Sequence, residues 1–294
     1  MIESAEWVSL NGRILPASDA RISVFDAGFM QGVGLFETMR AYGGRVFRAA
    51  MHIERLTNSA AALGWRTTFD KDAMARDLAQ LLWHAGLREA RVRLTVTSGS
   101  LRAPVGDEHG AQPTILISAT PGGGYPEESY ERGVAAVIGS YRQSRAEPLA
   151  GHKTTSYFAR LAALHTAHRA GAAELLWLSD DGTIAEGSIS NVFAVIDGRL
   201  VTPPLDCGIL PGVTRGIVLE LARTLGIDAS EARISVDALR SADEVMLTNS
   251  MMEVLPVNSL DGRAVGGGSM AGPVARRLLA AYRALVREEC EDHE

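Results

Sequence analysis

Cysteine is nearly absent: Cys207 and Cys290 are the only two in 294 residues, and no CxxC spacing occurs. This excludes a disulfide-stapled scaffold and a cysteine-built metal centre. Positive charge is in deficit, with 29 Lys and Arg against 35 Asp and Glu and a net charge of −6. Nucleic acids and anionic membrane surfaces attract basic patches, so neither is expected as a partner. No apolar run reaches the length needed to cross a bilayer. The opening residues Met1-Ile2-Glu3-Ser4-Ala5-Glu6 lack the basic and apolar stretches of a secretion signal. The expectation is a soluble cytoplasmic protein with reduced thiols. The 7 histidines show neither HExxH nor paired-ligand spacing, so no metal is expected, and the absence of Gly-x-Ser-x-Gly leaves a hydrolase elbow without support.

What is present is ordinary globular material, 46% hydrophobic and 22% charged, enough to bury a core without a staple. Residues 7–48 read as short strands, with hairpin signals at Asn11-Gly12 and Gly43-Gly44. Helical period follows over 51–63, where Ile53, Leu56, Ala60 and Leu63 form one stripe and Gly64 ends it. A second helix is predicted over 70–86, then strands at Arg91–Ser98 and Pro113–Ala119. Pro121–Pro126 (PGGGYP) reads as a linker between domains 1–120 and 127–294. Beyond it the reading gives a helix over about 154–170, a strand at Glu174–Ser179 and an Asp181-Gly182 turn. Two strands flanking Asp197-Gly198 follow, then helices after Pro211-Gly212 and near Pro273. Strands and helices mix without strict βαβ alternation, so an α+β fold with hairpin-rich sheets is favoured.

Two glycine motifs mislead. Gly32-Val33-Gly34-Leu35-Phe36-Glu37 begins like a dinucleotide fingerprint but places Glu37 where the third glycine belongs. Gly151-His152-Lys153-Thr154 looks like the end of a P-loop, but His152 intervenes and the upstream glycine is missing.

Other motifs stand in order along nearly the whole chain. They are Phe25-Asp26-Ala27-Gly28, Phe36-Glu37-Thr38-Met39-Arg40 and His52-Ile53-Glu54-Arg55-Leu56, then Lys153 and Glu186-Gly187. Leu210-Pro211-Gly212-Val213-Thr214-Arg215 and Thr248-Asn249-Ser250 complete the set. Together they resemble the class IV aminotransferases, the fold-type IV pyridoxal-phosphate enzymes. That family includes branched-chain and D-amino acid aminotransferases and 4-amino-4-deoxychorismate lyases. The resemblance implies a two-domain α+β enzyme with pyridoxal 5'-phosphate in the interdomain cleft, and a homodimer.

By position, Lys153 matches the Schiff-base lysine and Glu186 the carboxylate facing the pyridine nitrogen. An ionised carboxylate there keeps that nitrogen protonated through a charge-assisted hydrogen bond. Tyr157, four residues after Lys153 and on the same face of the predicted helix, matches the tyrosine near the 3′-oxygen. Val213 and Thr214 would offer N–H groups at a helix start to the phosphate, where the helix dipole also favours an anion. Arg55, off the apolar stripe of its helix and so open to a ligand, matches the phosphate arginine; a surface ion pair with Glu54 or another acid is its alternative. Ser250 stands where related transaminases often carry threonine and keeps the hydroxyl. Arg102 and Arg40 are candidates for the substrate carboxylate, and Thr38 resembles a threonine of the lyases.

The leading expectation is therefore a transaminase moving an amino group between an amino acid and a 2-keto acid. The alternative is 4-amino-4-deoxychorismate lyase, forming p-aminobenzoate and pyruvate. A non-catalytic binding protein on the same fold is disfavoured because Lys153 and Glu186 are both present.

Overall fold

The computed structural model describes residues 6–100, 112–267 and 270–290. Contacts divide them into two units. The first runs to Gly123 and also holds His152–Ser156 and the residues from Val286 onward; the second holds Gly124–Gly151 and Tyr157–Leu285.

The first unit contains β1 (Trp7–Leu10), β2 (Arg13–Pro16), α1 (Ala27–Gln31), β3 (Gly34–Tyr42), β4 (Arg45–Val46), α2 (Ala49–Ala62), α3 (Lys71–His84), β5 (Ala90–Thr97) and β6 (Ile115–Pro121). Its strands form one sheet in the order β2-β1-β6-β5-β3-β4. The Asn11-Gly12 turn works as its sequence implies, with φ of 51° and 77°, the left-handed pair that a tight two-residue hairpin needs. Asp70 caps α3 by accepting the Ala73 N–H at 2.9 Å. Leu35 and Met39 of β3, Ile53 and Leu56 of α2, and Leu78 and Leu81 of α3 bury themselves in one cluster. Each such side chain contributes about 1.5–3 kcal/mol by leaving water.

The second unit contains α4 (Glu127–Arg132), β7 (Val134–Gln143), α5 (Phe158–Arg169), β8 (Glu174–Ser179), β9 (Ile184–Gly187), β10 (Asn191–Ile196), β11 (Arg199–Thr202), α6 (Val213–Thr224), β12 (Ala229–Glu231), α7 (Val236–Arg240), β13 (Glu244–Asn249), β14 (Glu253–Leu260), β15 (Arg263–Ala264) and α8 (Pro273–Cys290), whose last residues cluster with the first unit. The main path of its sheet is β12-β11-β10-β13-β14-β7-β8-β9, with β15 on β14. Parallel pairs (β14 with β7, β7 with β8) sit among antiparallel ones, so the expected α+β class holds.

One expectation is corrected. The predicted helix over 154–170 begins only at Phe158, with Tyr157 as its N-cap. Residues before it are claimed by β3: Phe36 N–H donates to the Lys153 carbonyl at 2.9 Å and Thr155 N–H to the Gly34 carbonyl at 2.8 Å. Lys153 therefore stands on an extended segment added to a sheet edge, not on a helix, and it does not share a helical face with Tyr157. The same pairing explains why His152–Ser156 clusters with the first unit, whereas the sequence reading kept the whole chain from residue 127 together.

Candidate active site

In the first unit, the alternation of β3 separates its side chains onto two faces. Leu35, Met39 and Ala41 point into the core, and Glu37, which is fully buried, points the same way. The other face carries Phe36, Thr38 and Arg40. The Lys153 ammonium lies 4.5 Å from the centroid of the Phe36 ring. Arg93, paired across the ladder with Thr38, places its guanidinium 3.8 Å from the same centroid. An amine and a guanidinium thus share one aromatic surface, which suits an anionic ligand carrying an electrophilic carbon. Arg93 was not singled out in the sequence, although Arg91 and Arg93 alternating with Val92 and Leu94 mark it as a face opposite the core. Arg40 sits further along the strand, 4.4 Å over Tyr42 and 3.9 Å from Glu89. Arg102 lies outside the described residues.

Arg55 makes the ion pair with another acid that its alternative reading allowed, although in a buried place and not at the surface. It grips Glu37, with Nε to Oε1 at 2.8 Å and Nη2 to Oε2 at 2.5 Å. His52, one turn earlier, donates Nδ1–H to Glu37 Oε2 at 2.8 Å. Burial drives the His52 pKa down, so the ring is neutral and can act as this donor. Ser59 extends the same face of α2 and meets His152 Nδ1 at 3.0 Å, which steadies the residue next to Lys153. In sequence, Glu37 was named only as part of the Phe36–Arg40 motif and as the residue that breaks the dinucleotide fingerprint, with no role of its own.

In the second unit, Glu186 is 3% exposed and receives three hydrogen bonds. Arg160 Nη2 donates to Oε1 at 2.7 Å; Asn191 Nδ2 at 3.2 Å and Leu210 N–H at 3.0 Å donate to Oε2. Burial opposes the charge of Arg160, yet Glu186 and Tyr157 beside it raise its pKa above the ordinary value. The Tyr157 hydroxyl donates to the Ser188 carbonyl at 3.0 Å. The Ser188–Ser190 loop is held in turn by Glu174, a buried carboxylate accepting Ser188 N–H, Ile189 N–H and the Ser190 hydroxyl at 2.9, 3.1 and 2.8 Å.

Val213 and Thr214 open α6, whose N-cap is Gly212 and therefore has no side-chain cap. The first-turn N–H groups of such a helix start can meet an anion. A Cβ at Gly212 would collide with the Asn191 side chain, so glycine is required there. Asn191 pairs with Thr248 across β10 and β13, and the Thr248 hydroxyl is buried without a hydrogen-bond partner. A buried hydroxyl kept in reserve near an uncapped helix start fits a phosphate. Ser250 follows on a turn that Asn249 locks by accepting Met251 N–H and Met252 N–H at 2.8 and 2.7 Å. Of the expected set, Lys153, Thr38 and Arg55 fall in the first unit, and Glu186, Tyr157, Val213, Thr214 and Ser250 in the second.

The comparisons agree with these motifs. The family model for amino-transferase class IV matches residues 34–260. The branched-chain-amino-acid aminotransferase of Escherichia coli K12 is 32% identical over 297 residues, covering 99% of this chain and 96% of its own. An aminodeoxychorismate lyase of Bacillus subtilis is 32% identical over 282 residues, 95% of this chain and 94% of that one. A crystal structure of the Escherichia coli branched-chain enzyme superposes with a TM-score of 0.90 at 32% identity, covering 98% and 97% of the two chains. The T.th. branched-chain amino acid aminotransferase with pyridoxamine 5'-phosphate gives 0.88 at 30% identity, covering 98% and 96%. The chain belongs to the class IV aminotransferase family and is an enzyme of that family.

Proposed function

We propose that this enzyme is a pyridoxal-phosphate-dependent transaminase moving an amino group between an amino acid and a 2-keto acid. The observation that carries the reading is Lys153, whose amine is held over Phe36 beside Arg93 on the face of β3 turned away from the core. When bound, pyridoxal phosphate supplies an electron-accepting ring. Lys153 holds its aldehyde and moves the proton at the substrate α-carbon. Glu186 holds the proton on the ring nitrogen. The N–H groups of Val213 and Thr214, the hydroxyls of Thr248 and Ser250, and Arg55 hold the phosphate. Tyr157 orients the ring near its 3′-oxygen. Arg93, with Arg40 and Arg102 as further candidates, takes the substrate carboxylate.

Branched-chain donors are favoured, because the solved relatives described above act under that name. The lyase remains the second reading, supported by Thr38 on the same strand face as Phe36 and by the 32% identical lyase relative. A panel of amino donors and keto acceptors that includes aminodeoxychorismate separates the two. Keto-acid-dependent amino transfer supports the first; release of pyruvate with p-aminobenzoate and no amino transfer overturns it.

A homodimer fits the apolar patch on the first unit, where Val24, Phe29 and Met30 are 63%, 75% and 55% exposed. Sedimentation at equilibrium tests this; a monomer at micromolar concentration would exclude it. A cytoplasmic setting remains part of the proposal. Among the described residues, no helix is long and apolar enough to cross a membrane.

A further inference from the structure

Glu186 carries an unequal load on its two oxygens. Oε2 accepts two hydrogen bonds, from Asn191 and the Leu210 N–H, whereas Oε1 accepts one, from Arg160. A carboxylate offers about four lone-pair sites, two on each oxygen. The vacant site is therefore on Oε1, the oxygen that Arg160 grips. Arg160 is itself fixed on several sides. Nη2 also donates to Gln143 Oε1 at 2.5 Å, Nη1 donates to the Gly187 carbonyl at 2.9 Å, and the guanidinium lies 4.9 Å over the Trp177 ring. Gln143 is anchored in turn to the Gly208 carbonyl. Three strands thus converge on one cation whose charged partner is Glu186.

We propose that Arg160 is a positioning residue for Glu186, fixing the direction in which the vacant lone pair of Oε1 meets a ligand N–H. This rests on the reading of Glu186 as the carboxylate facing the pyridine nitrogen. Arg160 would act through Glu186, the carboxylate its Nη2 holds at 2.7 Å. It keeps Oε1 oriented and its negative charge compensated in a buried place. Lysine at this position would keep the charge but lose the fork that reaches Gly187, Gln143 and Glu186 together.

The test uses the full chain with R160M, R160K, E186Q and R160M/E186Q, each loaded with pyridoxal phosphate to measured full occupancy. Two quantities are read: the absorbance band of the bound cofactor, and the rate of a single half-reaction with a good amino donor. R160M is expected to shift the band in the same direction as E186Q and to slow the half-reaction about tenfold or more, the rate equivalent of one charged hydrogen bond. R160K should recover part of the rate, and the double variant should be no slower than E186Q alone. R160M with a wild-type band and rate, beside a slow E186Q, would overturn the proposal and leave the reading of Glu186 intact. A wild-type rate in E186Q would overturn that reading and the proposal with it. If R160M does not fold, R160Q replaces it, since its amide NH2 can still donate but carries neither the charge nor the fork; the same band shift and slowing are expected, and a wild-type band and rate again overturn the proposal.

Discussion

Arg55 reaches from α2 to β3 and closes a two-pronged ion pair on Glu37, with Nε 2.8 Å from Oε1 and Nη2 2.5 Å from Oε2. A buried anion that loses its cation is left uncompensated, so Arg55→Ala should destabilise the fold by about 3–5 kcal/mol. The double variant R55A/E37Q, lacking both charges, should regain most of that loss. It should still bind pyridoxal phosphate more weakly than wild type, by about 1.5–3 kcal/mol for one charged hydrogen bond. Urea unfolding and cofactor titration on the same samples separate the two effects. Unchanged affinity in the double variant would remove Arg55 from the phosphate site.

The same cluster sets an acid limit. Burial pushes the Glu37 carboxyl upward, but Arg55 and His52 prevail and lower its pKa from the ordinary 4.5 to about 2. Its folded value lies below its unfolded value, so its stabilisation is complete above 4.5 and is lost as pH falls toward 2. This amounts to about 3 kcal/mol. Burial of His52 acts in the same direction from its ordinary 6.5 downward, because the unfolded ring takes a proton that the folded ring refuses. Unfolding free energy measured between neutral pH and pH 3 should fall steadily in wild type. In Glu37→Gln it should be flatter below pH 4.5. Parallel curves would show that Glu37 does not govern the acid response.

Lys153→Ala should fold normally, because the backbone carbonyl at 153 still accepts the Phe36 N–H. Turnover should drop about a thousandfold or more, as when a group central to the chemistry is removed. The yellow absorbance that borohydride bleaches in wild type should be absent. A variant with wild-type turnover would end the assignment of Lys153.

Thr248→Val removes a buried hydroxyl that has no hydrogen-bond partner. Without ligand it should leave thermal stability unchanged or raise it by up to about 1 kcal/mol, since no bond is lost. Stabilisation by inorganic phosphate should shrink, because binding to the folded form is weaker. A variant that is less stable in phosphate-free buffer but protected by phosphate as well as wild type would contradict the assignment of Thr248.

Local chemistry made much of this legible in sequence. Asn11-Gly12, the Asp70 cap and Pro273 act on their own neighbours, and each element they delimit is where the sequence puts it. What stayed hidden depends on partners distant in the chain. The extended Lys153 segment owes its shape to β3, more than a hundred residues earlier, and nothing in Lys153-Thr154-Thr155 announces that pairing. Glu186 and Lys153 were singled out because they sit in recognisable motifs. Arg160 was missed because an arginine in the first turn of a helix resembles any solvated one until Gln143, Gly187 and Glu186 are seen around it.

The order in which the first unit is assembled follows from its discontinuous make-up. When the ribosome has delivered Gly123, it has delivered neither the segment bearing Lys153 nor the residues from Val286 onward. The sheet of β1 to β6 is complete by then, but the edge of β3 awaits its partner at 153–155 and α2 awaits Glu289, which Arg48 meets at 2.7 Å. The Lys153 segment thus joins a sheet already made, and the unit closes only after Glu289 has been delivered. A fragment ending at Gly123 would present a bare strand edge, which invites aggregation.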